Sequence, residues 1–193
     1  MLNKNMSKQE IEEELSEKGD FVQIDYLTNF LKKEHHLGFS LRKFLYSKLA
    51  EIYERRNMLV DSAKMFDKLG LISIAFSEKI KNYVKETKLY IKAGFFDWAD
   101  GAMKKALNQA NEMEKQDIYF AIKDFYKRQA EVYEKERRRN HALRIYEKLL
   151  ELNVSDFEKQ EIKKKILELY EKLGKLKEYF ILKKEITRNY NIF

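Results

Sequence analysis

The chain has no cysteine and no proline, and only six glycines among its 193 residues. Without cysteine there can be no disulfide, no thiolate metal site and no cysteine nucleophile. Without proline nothing obliges a helix to break, and scarce glycine leaves few weak points inside helices. Long apolar runs are missing as well. The longest, Leu71 to Phe76, is interrupted by Ser73 and falls far short of the ~20 residues that span a bilayer. The opening residues MLNKNMSKQE contain neither the apolar stretch nor the cleavage site of a secretory signal. Together these absences lead us to expect a soluble, cytoplasmic protein.

Hydrophobic side chains make up 44% and charged ones 37%, which allows a core and argues against disorder. A bias towards Lys, Asn, Ile, Phe and Tyr could by itself thin out glycine and proline, so periodicity has to carry the structural argument. Apolar residues recur at intervals of three and four in Phe44, Leu45, Leu49, Ile52 and Tyr53. The same spacing recurs in Ile118, Ile122, Phe125, Tyr126, Ala130 and Tyr133, and in Ile162, Ile166, Leu169, Tyr170 and Leu173. No stretch alternates as a strand would.

Helix starts and stops fit this pattern. Ser7 with Glu10, Asp20 with Gln23, and Ser155 with Glu158 have capping-box spacing. Gly19, Gly38, Gly70, Gly94 and Gly174 each follow an apolar stripe, where a left-handed residue would end a helix. Gly101 falls in a helix interior, where it is expected to admit a close helix neighbour. The expectation is eleven helices: 7–18, 21–34, 40–56, 60–69, 71–80, 82–93, 96–112, 116–136, 140–152, 156–173 and 175–190. Short connections would make consecutive helices antiparallel neighbours.

Residues 126 to 152 present Tyr126, Gln129, Ala130 and Tyr133, then Ala142, Tyr146 and Leu149. Small residues at Ala130 and Ala142 would let two backbones approach, with aromatics filling the space between hairpins. This set resembles the tetratricopeptide repeat. A second match runs through Tyr83, Thr87, Tyr90, Gly94, Ala99, Met103 and Ala106. Its turn glycine is replaced by Arg137 in the unit at residue 126. A third contains Tyr46, Ala50, Tyr53, Ala63 and Phe66, read with one residue inserted at its turn. A fourth has Ile166, Leu167, Tyr170 and Gly174, with Tyr179 in place of the small residue. Tyr53, Tyr90, Tyr133 and Tyr170 are spaced 37, 43 and 37. The resemblance implies an all-α, right-handed solenoid of helical hairpins over residues 39–193. The remaining residues, 1–38, are expected to form a capping hairpin.

No phosphate loop, dinucleotide fingerprint, nucleophile elbow or zinc-protease motif is present. The three histidines are His35, His36 and His141, and none is spaced as a zinc pair on a helix. We therefore expect no enzyme activity, no metal and no cofactor.

The family resemblance implies instead that the first helix of each hairpin lines a concave groove that holds a segment of another protein. That places Arg55, Lys88, Lys92, Lys127, Glu131, Lys135, Lys164 and Lys172 towards the groove, and an acidic or amphipathic partner segment follows. Glu131, one turn after Lys127, would repel a terminal carboxylate, so a carboxylate clamp is not expected. The charge is uneven: residues 1 to 34 hold five Lys and eight Asp or Glu, although the whole chain carries +7. Self-association through a terminal hairpin is a further expectation. The alternative is RNA or other nucleic acid bound by Arg137, Arg138, Arg139, Lys163, Lys164 and Lys165.

Overall fold

The computed structural model describes residues 6–32, 37–152 and 154–190. Among them are ten α-helices and no strand. They are α1 (Lys8–Ser16), α2 (Asp20–Leu31), α3 (Phe39–Arg55), α4 (Leu59–Ile72), α5 (Phe76–Ala93), α6 (Phe96–Leu107), α7 (Glu112–Lys135), α8 (Arg139–Glu151), α9 (Asp156–Lys172) and α10 (Leu176–Tyr190). The chain divides into two compact units, Met1–Ile118 and Tyr119–Phe193. In the first, α2 packs on α3, α3 on α4, α4 on α5 and α5 on α6; in the second, α8 packs on α9 and α9 on α10.

One helix fewer forms than the glycines suggest. The expected helices 60–69, 71–80 and 82–93 are in fact α4 and α5, because Gly70 lies inside α4 and does not end it. The break comes at Ser73, whose hydroxyl donates to the Leu69 carbonyl at 2.7 Å and accepts from Asn82 Nδ2 at 3.2 Å. Gly70 serves a different purpose: a Cβ there would lie 2.7 Å from Cζ and 2.9 Å from Cδ1 of Tyr83 on α5. Close helix approach therefore occurs at Gly70. At Gly101, where it was expected, a Cβ would meet nothing within 4 Å.

The other glycines divide by backbone conformation. Gly94 and Gly174 are left-handed helix ends (φ 79° and 69°), as expected. Gly19 and Gly38 are extended residues that precede α2 and α3 (φ −64° and −62°). Asp20 is thus the first residue of α2, not its cap, and it pairs with Arg55. Both other capping boxes are present, Ser7 with Glu10 and Ser155 with Glu158. A further reciprocal pair, Asn111 with Glu114, opens α7.

Four hairpin turns are built alike. Each follows a tyrosine by four residues with a left-handed one: Asn57, Gly94, Arg137 and Gly174, φ 57° to 79°. In each, the next amide donates back to the tyrosine carbonyl at 2.8–2.9 Å, from Met58, Phe95, Arg138 and Lys175. This is the Schellman arrangement, which satisfies carbonyls that the helix end leaves over. The turn at Asn57 carries no inserted residue. The small residue on its second helix is Ser62, not Ala63, and the Ser62 hydroxyl donates to the Ala50 carbonyl at 3.0 Å. Ala50, Ser62, Ala99, Ala130 and Ala142 are all fully buried, as residues at a close helix crossing should be.

The N-terminal helices share their core with the first hairpin. Ile11, Leu15, Leu27, Phe30 and Leu37 form one cluster with Leu45, Leu49 and Ile52 of α3. Polar ties complete the attachment, through Glu12 with Lys48 and Asp20 with Arg55 and Arg56.

Candidate functional site

Ion pairs show how the first helices of successive hairpins lie. In the first unit, Lys43 near the start of α3 pairs with Glu78 near the start of α5. Glu54 near the end of α3 accepts from Lys85 of α5 at 2.7 Å. The two helices therefore run side by side in the same direction. In the second unit, Lys123 of α7 lies 3.2 Å from Glu158 of α9, and Glu134 of α7 lies 3.6 Å from Lys165 of α9.

These are the same contacts 80 residues further on: Lys43 becomes Lys123, Glu54 becomes Glu134, Glu78 becomes Glu158 and Lys85 becomes Lys165. Tyr53 and Tyr90 likewise become Tyr133 and Tyr170, and the run AEIYE at 50–54 returns as AEVYE at 130–134. The structural repeat is thus a pair of hairpins, α3–α6 followed by α7–α10, and the alternating tyrosine spacing is its mark in the sequence.

Most of the basic side chains proposed for binding are engaged within the chain. Arg55 reaches back to Asp20 of α2. Lys127 joins Lys123 on Glu158, whose carboxylate also accepts from the Ser155 amide at 2.9 Å. Lys127, then the Ser155 amide and Lys123 hold the Glu158 carboxyl down to about 2, well below the usual carboxylate range. Lys164 contacts Glu161 at 2.8 Å, and Lys172 contacts Glu168 at 3.7 Å. Lys88 is half-buried on α5, and Lys92 is exposed in its last turn. Glu131 and Lys135 are exposed on α7.

The basic runs do not converge on one patch. Lys163 turns to Glu185 of α10 at 2.7 Å, Lys165 turns to α7, and Lys164 stays exposed on its own helix. Arg137 occupies the left-handed turn position, and Arg138 lies 4.5 Å over the Tyr133 ring, near Glu136. Arg139 is the exposed first residue of α8. His35 and His36 lie outside the described residues. His141 stands beside the Tyr133 ring, and burial, then Arg138 and Arg144, push its imidazole below the usual value.

Two features carried no signal in the sequence. The first is a polar cluster around one buried carboxylate in the first unit. Glu86 of α5 is 3% exposed and accepts from Lys105 of α6 at 2.8 Å, while Lys105 also donates to Asp67 of α4 at 2.6 Å. Glu86 Oε2 has no hydrogen-bond partner. Burial raises the Glu86 carboxyl to about 7, against the opposing pull of Lys105. A raised carboxyl can mark a catalytic acid. Here the Glu86 carboxyl is itself buried, and through the partly exposed Lys105 and Asp67 it ties three helices together.

The second feature is a set of exposed apolar side chains. Phe76, Phe120 and Phe157, at the starts of α5 and α9 and within α7, are 64–77% exposed. On α10, Leu176, Phe180 and Ile181 are about as open. A cleft of about 210 Å³ between α1, α2 and α3 is lined by Leu15, Gln23, Lys48 and Arg55 among others. It is smaller than the roughly 300–1,000 Å³ of sites that enclose a drug-sized ligand.

Among the described residues no helix is long and apolar enough to cross a membrane, and no three His, Asp or Glu side chains gather as metal ligands would. No family model, curated protein or solved structure matches the chain.

Proposed function

We propose that the protein is a non-catalytic scaffold of the tetratricopeptide type, which holds a segment of another protein against the first helices of its hairpins. The observation that carries this reading is the repeated wiring of α3 to α5 in one unit and of α7 to α9 in the other, which sets two long helices side by side within each unit. Such parallel rows suit an extended or amphipathic segment that lies across them. Lys88, Lys92 and Lys135 would steer an acidic or amphipathic partner, and apolar contacts would supply most of the affinity. A right-handed superhelix and a cytoplasmic location belong to the same proposal.

Nucleic acid is the weaker reading. Binding to phosphates needs cations that converge on one track. Lys163 and Lys165 instead satisfy carboxylates on different helices. The test is capture of partners from source-cell lysate, split into nuclease-treated and untreated halves, with a Lys88→Glu/Lys92→Glu variant alongside. The scaffold reading expects a protein partner retained in both halves and weakened by the variant. Partners lost on nuclease treatment, and unaffected by the variant, would replace it with the nucleic-acid reading.

A further inference from the structure

The two units are wired alike, but their helices do not present the same charges. On α5, Lys81, Lys85, Lys88 and Lys92 follow one another at intervals of four, three and four residues. At 100° per residue they fall within about 60° of one another, in a file roughly 16 Å long. Lys81 and Lys92 are exposed and Lys85 and Lys88 half-buried, whereas Tyr83, Thr87 and Tyr90 on the opposite side are buried. Lys85 donates to Glu54 of α3 at 2.7 Å, which puts the file beside α3.

Eighty residues on, the same positions of α9 hold Glu161, Lys165, Glu168 and Lys172. There the signs alternate, and Lys172 lies 3.7 Å from Glu168. An alternating row also runs along α7, through Asp124, Arg128, Glu131 and Lys135, with Arg128 paired to Asp124. Alternation at this spacing supports a helix, and like charges at the same spacing weaken it. Folding does not demand the like charges of α5, because α9 fills the same place in the repeat with two of the four lysines replaced by glutamate.

We propose that the lysine file of α5 is a docking site for an acidic helical segment of a partner protein, with carboxylates at intervals of three and four residues. The proposal rests on the scaffold reading and assigns its contact to the first unit. A second helix laid along α5 repeats the spacing of the file and so matches it charge for charge. Besides the lysines, this side of α5 carries Ser77 and Glu78. Among the described residues of that side there is no aromatic ring on which bases would stack and no apolar side chain that would enter a bilayer.

Fluorescence anisotropy on the full chain tests it. The probe is a labelled Ala/Glu peptide of about 20 residues, long enough to be helical, with Glu at the intervals of the file. At low salt the wild type should bind one peptide and should bind a labelled oligouridylate more weakly. Lys81→Glu/Lys88→Glu gives α5 the pattern of α9 and should weaken peptide binding by at least about tenfold. The reciprocal Glu161→Lys/Glu168→Lys, at two exposed positions of α9, should create a second peptide site. Circular dichroism will verify that both variants are folded. No peptide bound by the wild type, equal binding by Lys81→Glu/Lys88→Glu, or no second site in the reciprocal variant would each overturn the proposal. Tighter binding of the oligouridylate would overturn it in favour of nucleic acid. A protein partner captured equally by the wild type and by Lys81→Glu/Lys88→Glu would strike this site and leave the scaffold reading in place.

Discussion

Replacing Gly70 by alanine is expected to destabilise the protein by about 1–3 kcal/mol, although the same change elsewhere in a helix stabilises. Alanine normally gains roughly 0.5–1 kcal/mol over glycine in a helix interior. At Gly70 that gain is outweighed, because the new methyl would lie under 3 Å from ring carbons of Tyr83. Tyr83 is 5% exposed and has little room to yield. Overpacking of this kind forces α4 and α5 apart or pushes the ring off its rotamer. Gly101→Ala is the built-in control: with open space around it, it should stabilise by the ordinary helix increment. In a chain of this size each kcal/mol corresponds to about 2–4 °C in Tm. Opposite signs of the Tm shift for the two variants are the expected result. A Tyr83→Leu background should remove most of the Gly70→Ala penalty, since the two residues are in contact. Equal shifts for both glycines would mean that α4 and α5 do not approach as described.

The second large effect is a pH dependence centred on Glu86. Its carboxyl titrates near 7 in the folded protein and has an ordinary value of 4.5, with burial as the main cause. The folded state therefore holds this proton more tightly than the unfolded chain does. The stabilisation from the protonated form is complete below pH 4.5 and is lost as pH rises through 7. At about 1.4 kcal/mol for each pH unit of displacement, the window is worth at most about 3–4 kcal/mol. Glu86→Gln removes the titration and keeps an oxygen for Lys105. Urea unfolding of both proteins from pH 4.5 to 8 should show the difference between them moving in favour of the variant as pH rises. Parallel profiles would place the Glu86 titration outside this range. Glu158 acts in the opposite sense and in a separate window. Its lowered carboxyl stabilises above the ordinary 4.5, an effect lost as pH falls towards 2.

The helices were legible because their apolar stripes are long and regular; that tyrosines precede the turns at a fixed distance emerged only from the structure. Tyr53, Tyr90, Tyr133 and Tyr170 each announce a left-handed residue four positions later, whether it is Gly94 or Arg137. Glycine itself was ambiguous. A missing side chain can end a helix, as at Gly94, admit a ring, as at Gly70, or leave a gap, as at Gly101, and local sequence does not separate the three. The 80-residue repeat was present in the tyrosine spacing and in AEIYE and AEVYE, but a period of about 34 residues drew attention to single hairpins. The binding residues were the least legible. Lys127 and Arg55 look like free cations until Glu158 and Asp20 arrive from other helices. Glu86 looks like any surface glutamate until α4 and α6 close over it.

The tandem pair of hairpin units with the same wiring is the central feature of the fold. Because the chain lacks cysteine, this can be tested by introducing one pair at a time: Lys43→Cys with Glu78→Cys, and Lys123→Cys with Glu158→Cys. A short bis-maleimide should cross-link both pairs within a single chain under native conditions and neither pair in urea. If one pair cross-links and the other does not, while circular dichroism shows both variants fully helical, the duplicated arrangement is contradicted.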